Sequence, residues 1–394
     1  MKSSHAFLLV VALIMCSCAD DTITIAPSNS VQNPSNEKMQ LNLKVYVETS
    51  AGMDGYLCDG SDLRTVIYDY IDKLSHECDS TKFYHANDKI VPFKGNIEAF
   101  KSKGLTPNGF KSAGSGRNYS DIAAIIGRIV NEMNENTVSI FVSDCILDIK
   151  GADAKKNLEI KKSEVEKAIL RGIDKCDFAV EVLKMSGLFN GTYYPPSGKP
   201  QKLSGDSERP YYIWIFGDRK ALAQLHKEQP INKLNQHKLQ HIITFTKHAN
   251  APFEVKNKNG QDKIRAINGS YSAFINADFS SLLQDDETIL NPENYLSKRR
   301  EMKIKSIKKK ENDPRWTHVI EIEFPANAKL MENDLAFCRP ELPEWIEESN
   351  DPNGNDAQAN IDKTFGIKYL IGGVAEAYEK EKEFTNFNMK IKNK

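Results

Sequence analysis

Acidic and hydroxyl side chains stand at three separate points of the chain, each beside a predicted strand or helix. The segment 48–54, with the sequence ETSAGMD, follows an alternating apolar pattern at 41–47. Ser120 opens a helical pattern, and Asp144 follows the apolar run 138–142. Strand ends and helix starts of a parallel α/β sheet meet along one edge, where ligands bind. Because carboxylate and hydroxyl oxygens are ligands of hard divalent cations, this spacing predicts a cation site used for binding.

The elements that must position these groups alternate between strand and helix up to about residue 235. This alternation predicts an α/β fold with a Rossmann-like, mainly parallel sheet flanked by helices. The Gly- and Pro-rich stretch Gly187–Pro210 predicts a long loop or hairpin. Helical spacing of apolar residues occurs at Asp62–His76, Ser120–Glu132, Glu159–Leu170 and Asp218–Lys227. Strands are predicted at Leu41–Val47, Lys82–Tyr84, Ile90–Phe93, Thr137–Val142, Phe178–Leu183 and Tyr211–Phe216.

Helical periodicity becomes rare after about residue 236, which predicts a β-rich C-terminal domain. Strand patterns occur there at Gln240–Thr246, Met302–Ile307, Thr317–Phe324, Ile367–Ile371 and Phe384–Ile391. The predicted organisation is a signal peptide at 1–17, a flexible tether at 18–38, an α/β domain at 39–235 and the β-rich domain at 236–394.

The N-terminus predicts where the protein is located. The ten apolar residues 6–15 are too few to span a bilayer but have the length of a signal-peptide core. The following Cys16-Ser17-Cys18 resembles the lipobox of bacterial lipoproteins, which implies cleavage after Ser17 and lipidation of Cys18. We therefore expect a lipid-anchored protein of the bacterial cell envelope, held at the outer membrane through Cys18.

The composition argues against two classes of function. The chain of 394 residues has 53 Lys and Arg residues against 54 Asp and Glu residues, so no net basic field recruits nucleic acid. The basic stretch 298–310 is interleaved with apolar and acidic residues, which is typical of the solvent side of a strand. The sequence has no paired Cys motif and no Cys–His cluster, which argues against a zinc site.

The three acidic and hydroxyl stretches together resemble the von Willebrand factor A-type domain, over roughly residues 41–229. The resemblance implies a sheet wrapped by helices, with a metal-ion-dependent adhesion site at its rim. Glu48 and Ser50 occupy positions of the family's first acidic loop, Ser120 stands where the family has a threonine, and Asp144 matches its last aspartate. The implied cofactor is a divalent cation, Mg²⁺, Ca²⁺ or Mn²⁺, bound by these four residues.

Two departures from the family pattern weaken the predicted site. Glu48 keeps the charge of an aspartate but adds a methylene group, and Gly52 removes one hydroxyl ligand. Mg²⁺ requires near-ideal octahedral oxygen geometry, so Ca²⁺ or Mn²⁺ tolerates this looser ligand set better. Two interpretations stay open: a weakened cation site, or a degenerate site that keeps only the fold.

The implied mechanism is capture of a protein partner. A cation held by hydroxyls and few carboxylates accepts a further carboxylate, so the partner presents an acidic group. Asp54, Tyr56, Arg117 and Tyr119 are predicted to form the contact surface around the ion. Nucleic acid is not expected as a partner.

Two other functions remain open at this stage. Glu48 and Asp144 have the chemistry of an acid–base pair for glycoside hydrolysis, but the sequence has no nucleophile elbow, metalloprotease motif or phosphate-binding loop. We therefore predict no catalysis. The second alternative is a scaffold or assembly component of an envelope complex. In that case the C-terminal domain makes the contact with the other components.

Overall fold

The structure is a computed structural model that describes residues 22–27, 38–114, 116–117, 119–149, 153–196, 199–297, 301–327, 335–355 and 358–392. The predicted signal peptide, Cys18 and most of the predicted tether lie outside these residues. Within them, no helix has both the length and the apolar character needed to cross a membrane.

The strands and helices are numbered here in chain order. The strands are β1 Thr22–Pro27, β2 Asn42–Glu48, β3 Ser80–Ala86, β4 Ile90–Phe93, β5 Thr137–Ser143, β6 Phe178–Tyr193, β7 Gln201–Asp218, β8 Leu239–Phe245, β9 Phe253–Lys256, β10 Lys263–Arg265, β11 Ser270–Ala277, β12 Tyr295–Ser297, β13 Lys303–Lys309, β14 His318–Pro325, β15 Leu335–Cys338, β16 Asn350–Asp351, β17 Thr364–Phe365, β18 Glu383–Phe387 and β19 Met389–Lys392. The α-helices are α1 Asp62–Val66, α2 Asp72–His76, α3 Ile97–Ala99, α4 Pro107–Ser112, α5 Ile122–Asn131, α6 Ala154–Lys175, α7 Arg219–Glu228, α8 Asp286–Leu290, α9 Trp345–Glu348 and α10 Ile367–Ala377.

A seven-stranded sheet forms the centre of the α/β body, in the order β4-β3-β2-β5-β7-β6-β8. Strand β2 is parallel to both β3 and β5, and the other four pairings are antiparallel. The α/β class is therefore observed, but the prediction of a mainly parallel sheet is wrong. The reason lies in the segment Gly187–Pro210, which the sequence predicts as a long loop or hairpin. In the structure this segment continues β6 and β7 into one long hairpin. This hairpin places β7, running antiparallel, between β5 and β6.

Helices cover both faces of this sheet, so its central strands are buried on both sides. Every residue of β5 is buried, which explains its continuous apolar run. On one face Val45 and Val47 pack with α1 and the adjoining π-helical turn Ile67–Ile71. On the other face Phe141 packs with α5, α6 and α10.

The C-terminal residues form the β-rich part that the sequence predicts, around a separate apolar core. Its sheets have the orders β13-β14-β11-β9, β10-β1-β19 and β12-β15-β18. The predicted flexible tether is wrong for Thr22–Pro27, because these residues are β1. This strand pairs with β10 on one side and β19 on the other, and it buries Ile23 and Ile25 in the core.

The predicted domain boundary after residue 235 also differs from the structure. Strand β8 is the edge strand of the first sheet, and α9 and α10 pack on the α/β body. The strand predicted at Ile367–Ile371 is wrong, because this segment begins helix α10. Its buried residues Ile367, Leu370, Ile371 and Val374 have helical spacing, but its first five residues alone have the pattern of a short apolar strand.

Candidate functional site

A pocket of about 350 Å³ opens where β2 and β5 end and where α5 begins. All four predicted metal-binding residues line this pocket, together with two of the four predicted contact residues. They are Glu48, Ser50, Ser120 and Asp144, with Arg117 and Tyr119. The structure thus brings together residues that are up to 96 positions apart in the chain.

The loop after β2 is held in place by main-chain hydrogen bonds. The amide of Thr49 donates to the carbonyl of Ala86 at 3.0 Å, and the amide of Ala51 donates to the carbonyl of Arg117 at 3.0 Å. A Cβ atom on Gly52 would lie 3.3 Å from Oδ2 of Asp144. Position 52, where the A-type pattern has a hydroxyl ligand and this chain has glycine, therefore lies directly beside the carboxylate of Asp144.

Glu48 is the last residue of β2 and is only 2 % exposed. Its carboxylate accepts a hydrogen bond from the hydroxyl of Ser143. Burial raises the pKa of Glu48, and hydrogen bonds from the hydroxyls of Ser143, Ser120 and Ser50 lower it in part. The predicted ligands Ser50 and Ser120 therefore face the carboxylate with which they are expected to share a cation.

Asp144 follows β5 and is 5 % exposed. Its Oδ1 accepts a hydrogen bond from the amide of Ile146 at 3.2 Å. Burial and the nearby charge of Glu48 raise the pKa of Asp144 to about 7, although the Ile146 amide and the charge of Arg209 oppose this shift. Among the described residues, no lysine, arginine or histidine forms an ion pair with either carboxylate. Two buried acids therefore share one pocket without a neutralising partner in contact.

Ser120 lies immediately before α5 and is 6 % exposed. Its hydroxyl donates to Oδ1 of Asn87 at 3.0 Å, and Asp121 rather than Ser120 caps the helix by accepting from the amide of Ala124 at 3.1 Å. Ser120, which opens the helical pattern in the sequence, is therefore not the cap of α5. Because Asp121 caps the helix, the hydroxyl of Ser120 is left to face the pocket.

The predicted contact residues divide into three groups. Tyr119 is 45 % exposed at the pocket, and Arg117 lines it while donating to the carbonyls of Thr49 and Ser50. Asp54 does not line the pocket and forms an ion pair with Arg117. The assignment of Tyr56 to the contact surface is wrong.

The Tyr56 side chain belongs to the core. It is fully buried, and its hydroxyl donates to the carbonyl of Pro210 at 2.6 Å. Its ring packs edge-on against Phe189 and Tyr211 of the long hairpin. Tyr56 therefore fixes the acidic loop to the hairpin and presents no surface to a partner.

Sequence reasoning missed several pocket residues. Ile146 and Asp148 line the pocket, and their positions two and four residues after Asp144 were the available signal. Tyr194, Pro195 and Pro200 come from the end of the β6–β7 hairpin and line the pocket. No pattern in the sequence indicated that this distant hairpin reaches the site, because its position depends on the pairing of β7 with β5.

No protein-family model, no curated protein and no solved structure matches this chain. The resemblance to the von Willebrand factor A-type domain therefore depends on the residues of the pocket alone. In the described part of the chain, no cluster of three or more His, Cys, Asp or Glu side chains is arranged to hold a metal ion. The pocket supplies two buried carboxylates, from Glu48 and Asp144, a third and partly buried carboxylate from Asp148, and the hydroxyls of Ser50 and Ser120.

Proposed function

We propose that this protein is a lipid-anchored envelope protein whose α/β body binds a protein partner through a divalent cation. The cation is bound by Glu48, Ser50, Ser120 and Asp144. It completes its coordination with an acidic group of the partner, as the resemblance to the A-type domain implies.

One observation carries this proposal: two buried carboxylates and two serine hydroxyls meet in one open pocket, and neither carboxylate has an ion-pair partner among the residues that the structure describes. Burial of an unpaired carboxylate is unfavourable, and burial raises the pKa of both acids. A bound cation removes this cost by neutralising both charges. The four groups are also oxygen ligands, which Mg²⁺, Ca²⁺ and Mn²⁺ prefer.

The composition of the pocket favours Ca²⁺ or Mn²⁺ over Mg²⁺. Glu48 is held by Ser143, and position 52 supplies no side-chain oxygen. Mg²⁺ demands a regular octahedron, whereas Ca²⁺ accepts variable numbers of ligands and waters. The open side of the pocket carries Tyr119 and Arg117, which suit contact with an acidic partner.

The lipid anchor is a second part of this proposal and depends on the sequence of residues 1–18. Mass spectrometry of the mature protein purified from bacterial membranes tests it. We expect diacylglyceryl and acyl groups on Cys18, and we expect Cys18→Ser to release the protein from the membrane fraction. An unmodified N-terminus at another position would contradict this assignment.

Calorimetric titration of MnCl₂, CaCl₂ and MgCl₂ into the purified protein, first treated with chelator, tests the cation site. We expect binding of Mn²⁺ and Ca²⁺ in the micromolar to millimolar range, with weaker binding of Mg²⁺. Asp144→Asn and Ser50→Ala are expected to weaken binding at least about tenfold. Asp59→Asn, an exposed acid outside the pocket, is the matched control. Flat traces for all three ions would remove cation-dependent binding and leave the scaffold function.

A further inference from the structure

A second cleft, of about 420 Å³, lies between the α/β body and the β-rich part. The α/β side is formed by β6, α7, β8 and the short 3₁₀-helix Ile231–His237. The β-rich side is formed by β13, β14 and the segment 279–289. None of the residues predicted for the first site lines this cleft, so it is a separate feature of the molecule.

Glu181 of β6 is a buried acid that faces this cleft. It is 1 % exposed, and neither of its carboxylate oxygens accepts a hydrogen bond from any residue that the structure describes. Nε2 of His226, on α7, is 3.2 Å from Oε2 of Glu181 and is the closest charged or ionisable partner identified for it. A buried carboxylate has capacity for several donors, so Glu181 has at least one oxygen available to a ligand.

His318 of β14 is a second buried polar group in the same cleft. It is 3 % exposed, and its Nε2 has no hydrogen-bond partner within the described ranges. Its Nδ1 is 2.9 Å from Oγ1 of Thr317, and its Nε2 is 3.6 Å from a carboxylate oxygen of Asp286. Burial lowers the pKa of His318, which favours a neutral imidazole that can exchange a hydrogen bond with a ligand.

The remaining walls give the cleft a negative balance and an apolar body. Three carboxylates, from Glu181, Asp285 and Asp286, face one ammonium group, from Lys309. Lys309 already pairs with Asp286 at 2.6 Å, so it does not neutralise the buried Glu181. Apolar side chains complete the lining; among them are Leu239, Ile242, Phe279 and Ile289.

We propose that this cleft binds a small organic amine, whose ammonium group pairs with Glu181 and whose apolar body lies against Ile242, Phe279 and Ile289. An ammonium group suits the site because Glu181 is a buried acid that accepts no hydrogen bond from the described residues and whose nearest ion-pair partner is an imidazole, that of His226. An apolar body suits the cleft because apolar side chains from both halves of the molecule line it. The volume is within the range of small-molecule pockets.

Titration of phenethylamine into the full protein, followed by calorimetry and by ligand-detected nuclear magnetic resonance, tests this proposal. We expect a dissociation constant in the micromolar to millimolar range. We expect 2-phenylethanol, which has the same apolar body and no charge, to bind at least about tenfold more weakly, because hydrogen bonds to charged groups are the stronger ones.

Two variants locate the binding. Glu181→Gln keeps the shape of the side chain and removes its charge, and we expect it to weaken phenethylamine binding at least about tenfold. Asn235→Trp, at an exposed position on the rim of the cleft, is expected to block entry without changing a buried charge. Glu254→Gln, a carboxylate outside the cleft, is the matched control and should bind like the parent.

Three results would overturn the proposal. They are no detectable phenethylamine binding at millimolar concentrations, equal binding of 2-phenylethanol, and binding that neither Glu181→Gln nor Asn235→Trp changes.

Titration of ZnCl₂ alone gives a fourth outcome. Tight Zn²⁺ binding that Glu181→Gln abolishes would assign Glu181 and its neighbouring histidines to a metal instead. Mn²⁺ binding at the first pocket should be unchanged in Glu181→Gln, so the two sites are tested separately.

Discussion

At the scale of single residues, the main feature is a pair of buried acids that is costly without a cation. Glu48 and Asp144 are each at least nine-tenths buried, and in the structure hydroxyls and one main-chain amide donate hydrogen bonds to them. An acid whose pKa is higher in the folded state than in the unfolded state lowers the free energy of unfolding at any pH where the unfolded chain has already lost the proton. The pocket therefore lowers stability at neutral and alkaline pH when no cation is bound.

The first prediction concerns the pH dependence of stability in Asp144→Asn. The pKa of Asp144 rises from 3.8 to about 7 on folding. The folded state then holds a proton that the unfolded state has lost, so the stability of the parent falls as pH increases through this interval. Asn stays neutral, and we expect the variant to be more stable than the parent by on the order of 2–4 kcal/mol at pH 8, with a smaller difference at pH 4.

Urea unfolding in the presence of chelator at pH 4, 6 and 8 measures this difference. Asp59→Asn is the control, and an exposed change of this kind should alter the unfolding free energy by less than about 0.5 kcal/mol. An Asp144→Asn variant that is less stable than the parent at pH 8 would mean that the carboxylate is paired in solution.

The second prediction concerns the two departures from the A-type pattern, Glu48 and Gly52. Gly52→Ser adds a hydroxyl beside Asp144, where a Cβ atom would meet Oδ2 at 3.3 Å, and Glu48→Asp removes the extra methylene group. We expect the double variant to bind Mg²⁺ about tenfold or more tightly than the parent, because the octahedron gains a ligand. Calorimetry measures the change, and Asp59→Asn, at an exposed position outside the pocket, is again the control. Unchanged Mg²⁺ affinity would separate this pocket from the A-type site.

At the scale of elements, the close approach of α10 to α6 joins the C-terminal segment to the α/β body. A Cβ atom on Gly373 would lie 2.4 Å from the carbonyl oxygen of Lys162, so only glycine permits this distance between the two helices. The hydroxyl of Tyr378 also donates to the carbonyl of Phe178 at 2.7 Å. These contacts explain why residues far along the chain pack on the first sheet.

The third prediction compares two neighbouring glycines of α10. Gly373→Ala is expected to destabilise the protein by about 1–3 kcal/mol, because the helices must separate. At Gly372 a Cβ atom would meet only the flexible end of the Lys162 side chain, at 3.3 Å. Gly372→Ala should therefore be neutral or stabilising by up to about 1 kcal/mol through helix propensity. Chemical unfolding of both variants measures the difference, and equal effects would contradict the close packing.

At the scale of the whole molecule, the two parts are not consecutive stretches of the chain. Strand β1 comes from the N-terminal region, yet it completes a sheet with β10 and the last strand, β19. Helix α10 comes from the C-terminal region, yet it belongs to the α/β body. The chain thus crosses between the parts more than once, and the second cleft lies where they meet.

The fourth prediction tests whether β1 is part of the folded molecule. Ile25 is 3 % exposed in the β-rich core, so Ile25→Ala should destabilise the protein by about 2–4 kcal/mol. Thr24→Ala, on the opposite face of the same strand, should change stability by less than about 0.5 kcal/mol. Thermal and urea unfolding of the two variants gives the comparison. If Ile25→Ala matches Thr24→Ala, residues 22–27 act as a tether, as the sequence analysis predicted.

Local patterns in the sequence were sufficient for most elements of the first sheet and for the convergence of the candidate site. Glu48 and Asp144 end neighbouring parallel strands, β2 and β5, so alternation and strand order alone place them at one edge. The same reasoning failed for Tyr56, because a tyrosine in a loop has no local pattern that distinguishes surface from core. Its burial depends on the hairpin that packs against it.

Periodicity and residue type within short windows were sufficient to predict the seven strands of the first sheet, the helices α1, α2, α5, α6 and α7, and the acidic chemistry of the pocket. Only long-range packing placed β7 antiparallel beside β5, put β1 and α10 where they lie, and brought Glu181, His226 and His318 to one cleft. Each of these depends on pairing or packing between residues far apart in the chain, and no local pattern encodes such a partner.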